Sequence, residues 1–245
     1  MTLESLYKYY SSHPESAWIM QPENVRYLYQ YIKNNPIKKV LDLGTGISLS
    51  TATIALAMKA KGETDYEIHT VEQTEKCFNL AQELIPPELK EHTTFHLAHP
   101  MVWQTELIPY QYLSRFEKLP EEPVGGWDLI LVDGSGPFLE GEHYIDLPNG
   151  DVMKLLLEKK LKPGTLVAWD GRWQALKLLE RFFSDNFYLA FSGEGSDFKV
   201  LEVKETEPRF NDAAFKRMKE LNYVKEPVAP TVAEPVPTPP IDKKE

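Results

Sequence analysis

The chain has 245 residues, 42% of them hydrophobic and 26% charged, which is the composition of an ordinary soluble fold long enough to bury one sizeable core. A formal net charge of -10 argues against nucleic acid or an anionic membrane as the main partner, since both would be repelled. The single cysteine, Cys77, excludes an internal disulfide and a cysteine-built metal cluster, no apolar run approaches a membrane span, and "MTLESLYKYYSSHPE" lacks a basic-then-apolar leader, so a cytoplasmic protein is expected.

Residues 1–35 read as a helical cap, most clearly in "QPENVRYLYQYIKNN". Tyr7, Tyr9, Tyr10, Trp18, Tyr27, Tyr29 and Tyr31 fall here, at a helical spacing that favours partial core burial over a stacking surface. The chain then alternates. β-rich runs occur at "KKVLDLG", "YEIHTVE", "TTFHLA", "WDLILVDG" and "TLVAWDG", several of them apolar on both faces. Between them lie the helical patterns "STATIALAMKAKGE", "TEKCFNLAQELIPPELKE", stopped by Pro86 and Pro87, and "NGDVMKLLLEKKLKPG", with Gly164 as its stop. His69 and His96 sit inside strands and are expected to be satisfied there, and the acidic "EKLPEE" reads as a solvated loop. After the amphipathic "GRWQALKLLERFFSDN", the turn "GEGS" joins "FYLAFSG" to "DFKVLEVKE" as a hairpin. The expected fold is α/β: a doubly wound Rossmann-like sheet over 36–224, mostly parallel with an antiparallel last strand. Residues 225–245, with six prolines in 21 residues and no aromatic, are expected to form a disordered tail, and "PTPP" is a weak candidate for docking a partner's aromatic groove.

Chemistry concentrates at "VLDLGTGISLST". Gly44 and Gly46 allow a tight turn and let a ligand meet bare backbone, while the next helix points its free N–H groups at the same place. A third glycine, usual in the dinucleotide fingerprint, is missing: Ile47, Ser48 and Leu49 occupy that stretch. Asp42 precedes the turn, where it either serves a ligand or caps the helix. Glu72 ends the second strand about one helix later, the place for a carboxylate that binds ribose hydroxyls, although carboxylates ending strands are common on surfaces too.

With those residues in place, the chain resembles the class I S-adenosylmethionine-dependent methyltransferases. "VLDLGTGISLST" is similar to their first motif, "IHTVEQ" to the second, "WDLILVDG" to the fourth and "LKPGTLVAWDG" to the stretch around the fifth strand, across Gln21 to Glu205. The nearest likeness is to small-molecule and sugar O-methyltransferases. The resemblance implies S-adenosylmethionine as cofactor and a small-molecule acceptor, with a hydroxyl oxygen as the expected methyl acceptor. It implies that Gly44, Thr45 and Gly46 face the methionine part, that Asp42 bonds its amino group, that Glu72 holds the ribose, and that Gln73 and His99 to Met101 line the adenine. Asp133 would lie beside the methyl group. Two departures stand out: Ser48 replaces the third glycine, and Asp170-Gly171 stands where the metal-dependent catechol-type branch carries Asp-Asn.

A sulfonium methyl is already activated, so the protein's tasks are alignment and, for a hydroxyl acceptor, removal of a proton. Asp133 and Asp170 each follow an apolar strand, where a carboxylate without a partner is expensive, and are candidates for that task or for holding a divalent cation, which Gly171 disfavours. His143, in "GPFLEGEHYIDLPNG", is a candidate base or a plain surface histidine. "HPMVWQTELIPYQYLSRFEKLPEEPVGG" and the loop after Asp133 are the expected acceptor-binding elements. An NAD-dependent oxidoreductase and a non-catalytic module that uses its tail for a partner are the alternatives.

Overall fold

The structure, a computed structural model, describes residues 1–108, 111–134, 147–171, 173–214 and 216. His143 and the proline-rich tail lie outside the described residues. Helix α1 (Leu3–Ser11) starts at a reciprocal cap between Thr2 and Ser5, and α2 (Pro22–Asn34) starts on proline, whose missing N–H costs nothing in a first turn. There follow β1 (Lys39–Leu43), α3 (Leu49–Ala60), β2 (Glu67–Glu72), α4 (Glu75–Leu84), α5 (Pro87–Lys90) and β3 (Thr93–Leu97). After these come β4 (Pro100–Trp103), β5 (Leu113–Phe116), β6 (Leu129–Val132), α6 (Asp151–Leu157), β7 (Leu166–Trp169), α7 (Trp173–Phe182), β8 (Phe187–Ser192) and β9 (Lys199–Val203).

Seven strands form one sheet in the order β3-β2-β1-β6-β7-β9-β8. Every pairing is parallel except those of β9, which runs antiparallel to β7 and β8. The hairpin expected at the end of the chain is therefore present, with its second strand inserted between β7 and β8. The winding reverses between β1 and β6, so the crevice beyond their carboxyl ends is where such a sheet receives a ligand.

Alternation along the strands sends residues to two cores. Val40, Ile68, Leu129, Leu131, Ala168 and Val200 face α1, α2 and α3; Leu41, Val71, Ile130, Val132, Val167 and Leu201 face α6 and α7. Helix α3 is more enclosed than its spacing implies. Every residue from Leu49 to Met58 is buried, because α1 and α2 cover its outer side. Helix α2 reaches the far end of the sheet as well: Tyr27 bonds its hydroxyl to the Glu194 carbonyl at 3.0 Å and stacks on Phe198.

One local expectation is corrected. The helix expected to run to Gly164 ends at Leu157, and Lys159 takes a left-handed φ of 57°, so the last turn cannot continue. The stretch after β3, expected to help bind the acceptor, contains an antiparallel ribbon of β4 and β5, with Pro100 opposite Phe116 and Trp103 opposite Leu113. Its four-residue strands carry too short an alternation to be seen in sequence. The fully buried Asp151 fastens this ribbon to α6 by accepting from Phe116 N at 3.1 Å and from Asn149 Nδ2 at 2.9 Å. Among the described residues no helix is long and apolar enough to cross a membrane.

Candidate functional site

The turn after β1 is held against β2 by bonds from Gly44 N and Thr45 N to the Val71 carbonyl, at 2.9 and 3.2 Å. Gly44 has φ of 105°, and a Cβ on it would lie 2.2 Å from Gly134 N and 2.3 Å from Gly134 Cα. The two crossing backbones thus touch, and only glycine fits. Gly46 differs: at φ of 53° a Cβ would meet nothing within 4 Å, so open space adjoins this residue. Ser48, at the third-glycine position, keeps a glycine-like φ of 75°.

Asp42 lies fully buried beneath the turn. Its Oδ2 accepts from Ser50, Thr51 and Thr70 hydroxyls at 3.0, 2.6 and 3.3 Å, while Oδ1 has no partner. Burial pushes its carboxyl up to about 6, and the three hydroxyls hold it from rising further. Asp42 does not cap the helix: its carboxylate bonds no helix N–H and serves the hydroxyl cluster instead. Thr45 is buried and pairs its hydroxyl with Thr70, turned into the core.

Glu72 closes over the turn from β2. Its Oε2 accepts from Gly46 N at 2.8 Å, and Oε1 accepts from Thr74 N and Thr74 Oγ1 at 2.9 and 3.1 Å. Burial raises its carboxyl above the ordinary glutamate value, and the backbone donors oppose that rise. Gln73, next along, lines a small cavity with Pro100, Arg115, Gly134 and Asp151. His99 is exposed, and its carbonyl accepts from Glu117 N at 2.9 Å. A larger cleft of about 410 Å³ runs beside α6, lined by Arg115 to Glu122 and Trp127, and shares Arg115, Phe116 and Asp151 with the small cavity.

Asp133 and Asp170 follow the neighbouring parallel strands β6 and β7, both half-buried at the same sheet edge. Asp133 N bonds the Leu43 carbonyl at 2.9 Å, which ties it to β1. Asp170 Oδ1 accepts a hydrogen bond from the Asn24 carboxamide. That partner was missed in the sequence, yet a signal existed: Asn24 occupies the apolar stripe of α2, one turn before Leu28 and two before Ile32. An amide in such a stripe needs a polar partner. Asp151 was missed as well, and burial pushes it up to about 7. Among the described residues no three His, Cys, Asp or Glu side chains gather as a metal site. His69 and His96 satisfy each other, with Nδ1 and Nε2 3.1 Å apart. Of the aromatic N-terminal residues, Tyr10 is buried, Tyr7, Tyr27, Tyr29 and Tyr31 pack on the core, and Tyr9 is exposed.

No family model and no curated protein sequence matches the chain. Solved structures do. The Podospora anserina methyltransferase PaMTH1, bound to S-adenosylhomocysteine (SAH), superposes with a TM-score of 0.54 at 13% identity, over 83% of this chain and 88% of that one. The O-methyltransferase TomG from Streptomyces achromogenes, involved in tomaymycin synthesis and in complex with S-adenosylmethionine, gives 0.51 at 15% identity, over 82% and 90%. The tRNA (m1A58) methyltransferase TrmI from Aquifex aeolicus gives 0.52 at 16% identity, over 84% and 76%. The fold is the class I methyltransferase fold. Its appearance with both a tRNA and a biosynthetic O-methyltransferase leaves the choice of acceptor to the site.

Proposed function

We propose that this protein is an S-adenosylmethionine-dependent methyltransferase acting on a small-molecule acceptor, with a hydroxyl oxygen as the methyl's destination. The observation that carries the reading is the Glu72 carboxylate seated on the glycine turn, 2.8 Å from Gly46 N, at the reversal point of the sheet. The residues fit the cofactor's chemistry. A buried Oδ1 of Asp42 with no partner suits an ammonium group, reached directly or through water, and the open space beside Gly46 suits a ligand against backbone. Glu72 keeps acceptor capacity for ribose hydroxyls; Gln73 and His99 to Met101 would line the base. When bound, the cofactor would supply a methyl already activated on sulfur.

The chain's own part is then alignment, exclusion of water and disposal of the acceptor's proton. Asp133 and Asp170 flank the sheet edge where the acceptor oxygen would approach, and the Asn24 amide orients one oxygen of Asp170. Either carboxylate, or His143, would take the proton. The net charge of -10 supports a small acceptor over nucleic acid, and the lone cysteine supports a cytoplasmic setting.

Calorimetry with S-adenosylmethionine, SAH and NAD tests the reading. Both adenosyl ligands should bind and NAD should not, and Glu72→Ala should weaken SAH by about 1–3 kcal/mol, the value of hydrogen bonds to a charged group. Tight NAD binding without S-adenosylmethionine binding would establish the oxidoreductase alternative instead.

A further inference from the structure

Ser48 caps α3, and a serine in that place ordinarily turns its hydroxyl onto the helix's free N–H groups. Here it makes no such bond. Its hydroxyl donates instead to the Ala81 carbonyl at 3.2 Å and lies 2.9 Å from the Tyr10 hydroxyl, which also reaches the Leu84 carbonyl at 3.4 Å. Both carbonyls belong to the last turn of α4, and that of Ala81 also accepts from the Ile85 N–H at 3.1 Å. Tyr10 and Ser48 are fully buried, so water cannot replace either bond. The contact joins α1, the glycine turn and α4 at one point.

Ser48 also carries a backbone burden. At φ of 75° and ψ of 21° it sits in the left-handed region, which disfavours a side chain relative to glycine by a factor of about 5–30 in an equilibrium. Glycine holds that conformation unaided; serine needs an anchor. Ser48 N closes the turn onto the Thr45 carbonyl at 2.8 Å, so relaxing Ser48 would displace Thr45 and Gly46.

We propose that Tyr10 is a cofactor-positioning residue: through its hydroxyl contact with Ser48, helix α1 holds the turn in the left-handed form that keeps the Gly46 backbone open to the ligand. This rests on the S-adenosylmethionine reading above. Tyr10 would act on the turn through Ser48 rather than by a ligand contact of its own. The serine at the third-glycine position is thereby a joint between the N-terminal helix and the site.

The test is SAH calorimetry on the full chain and its variants, with a thermal melt of each. Tyr10→Phe keeps the ring and loses the hydroxyl, and should weaken SAH about 5–30-fold. Ser48→Gly needs no anchor and should bind as the parent does, and adding Tyr10→Phe to it should change affinity less than about twofold, the mark of coupling in a double-mutant cycle. Ser48→Ala, which keeps the Cβ without the hydroxyl, should behave as Tyr10→Phe does. A Tyr10 that merely packs the core would lower affinity equally in both backgrounds, and that additive result overturns the proposal. If Tyr10→Phe does not fold, equal SAH affinity of Ser48→Ala and Ser48→Gly overturns it. A parent chain that fails to bind SAH overturns the methyltransferase reading and this inference together, whereas binding with an additive cycle removes only the latter.

Discussion

Alanine at Gly44 and alanine at Gly46 should produce opposite defects. At Gly44 the new Cβ would stand 2.2 Å from Gly134 N, 2.3 Å from Gly134 Cα and 2.9 Å from the Asp133 carbonyl carbon, whereas ordinary contact begins at 3.4 Å. All three atoms are backbone, and Asp133 N and Gly134 N are bonded to the Leu43 carbonyl at 2.9 and 2.6 Å, so no side chain can swing aside. The loops after β1 and β6 would have to separate by about 1 Å. Overpacking of this kind costs about 1–3 kcal/mol. The left-handed conformation adds about 1–2 kcal/mol. A total of about 2–5 kcal/mol corresponds to a fall in melting temperature of about 5–20 °C for a chain of this size. At Gly46 only the conformational strain applies, about 1–2 kcal/mol, since no atom lies within 4 Å. Its Cβ would instead intrude on the space assigned to the ligand, and SAH affinity should fall at least about tenfold, or 1.4 kcal/mol. Urea unfolding measures the first effect and calorimetry on the folded variant the second. Equal stability of the two variants, or a Gly44→Ala chain within about 0.5 kcal/mol of the parent, would refute the contact described here.

Asp42 and Asp151, raised to about 6 and about 7, bind protons more tightly in the folded chain than in the unfolded one. Their contribution to stability is therefore full below about pH 4 and is lost as pH rises through those values, on the order of 3 kcal/mol for Asp42. Asp42→Asn should flatten the fall in melting temperature between pH 4 and 6, and a curve parallel to the parent's would contradict the assignment. Asn24→Ala should cost about 1–3 kcal/mol by removing a buried donor from Asp170, measured by urea unfolding; an unchanged midpoint would show the bond to be idle. In an acceptor screen, Asp133→Asn or Asp170→Asn should cut turnover while SAH affinity holds, and a chelator should leave the parent's turnover intact. Activity lost on chelation and restored by a divalent ion would assign those carboxylates to a cation. Truncation after Tyr223 should change neither melting temperature nor SAH affinity, because the proline-rich composition offers no aromatic side chain to a core; a drop of many degrees would prove otherwise.

What could be read in the sequence was what short-range chemistry writes there. "KKVLDLGTG" announces a buried strand ending in a backbone-exposing turn, and "GEGS" between two alternating runs announces the hairpin. Asp42 and Glu72 were visible because a carboxylate beside an apolar strand is conspicuous. Their partners were not. The hydroxyls around Asp42 come from α3 and β2, and the Asn24 amide reaches Asp170 across 146 positions of chain. The ribbon of β4 and β5 escaped notice because four residues cannot establish a period, and what fixes it is Asp151, from another element. Side-chain pairings set by topology leave only an indirect mark, such as an amide in an apolar stripe.

The long reach of α2 bears on the order in which the molecule can assemble. Tyr27 rests on Phe198 and bonds the Glu194 carbonyl, 167 positions later, and Leu28 and Ile32 belong to the same core as Phe198 and Val200. During synthesis the helix emerges well before the hairpin that it rests on. Part of its apolar stripe can pack on α3 soon after, but the side that seats Tyr27 must wait until the hairpin has left the ribosome. Contacts so distant along the chain make folding slow and keep early intermediates prone to aggregation. A chain shortened before β9 would lose the part of the seat that holds Tyr27, and with it one of the contacts that fix the helix carrying Asn24 to Asp170.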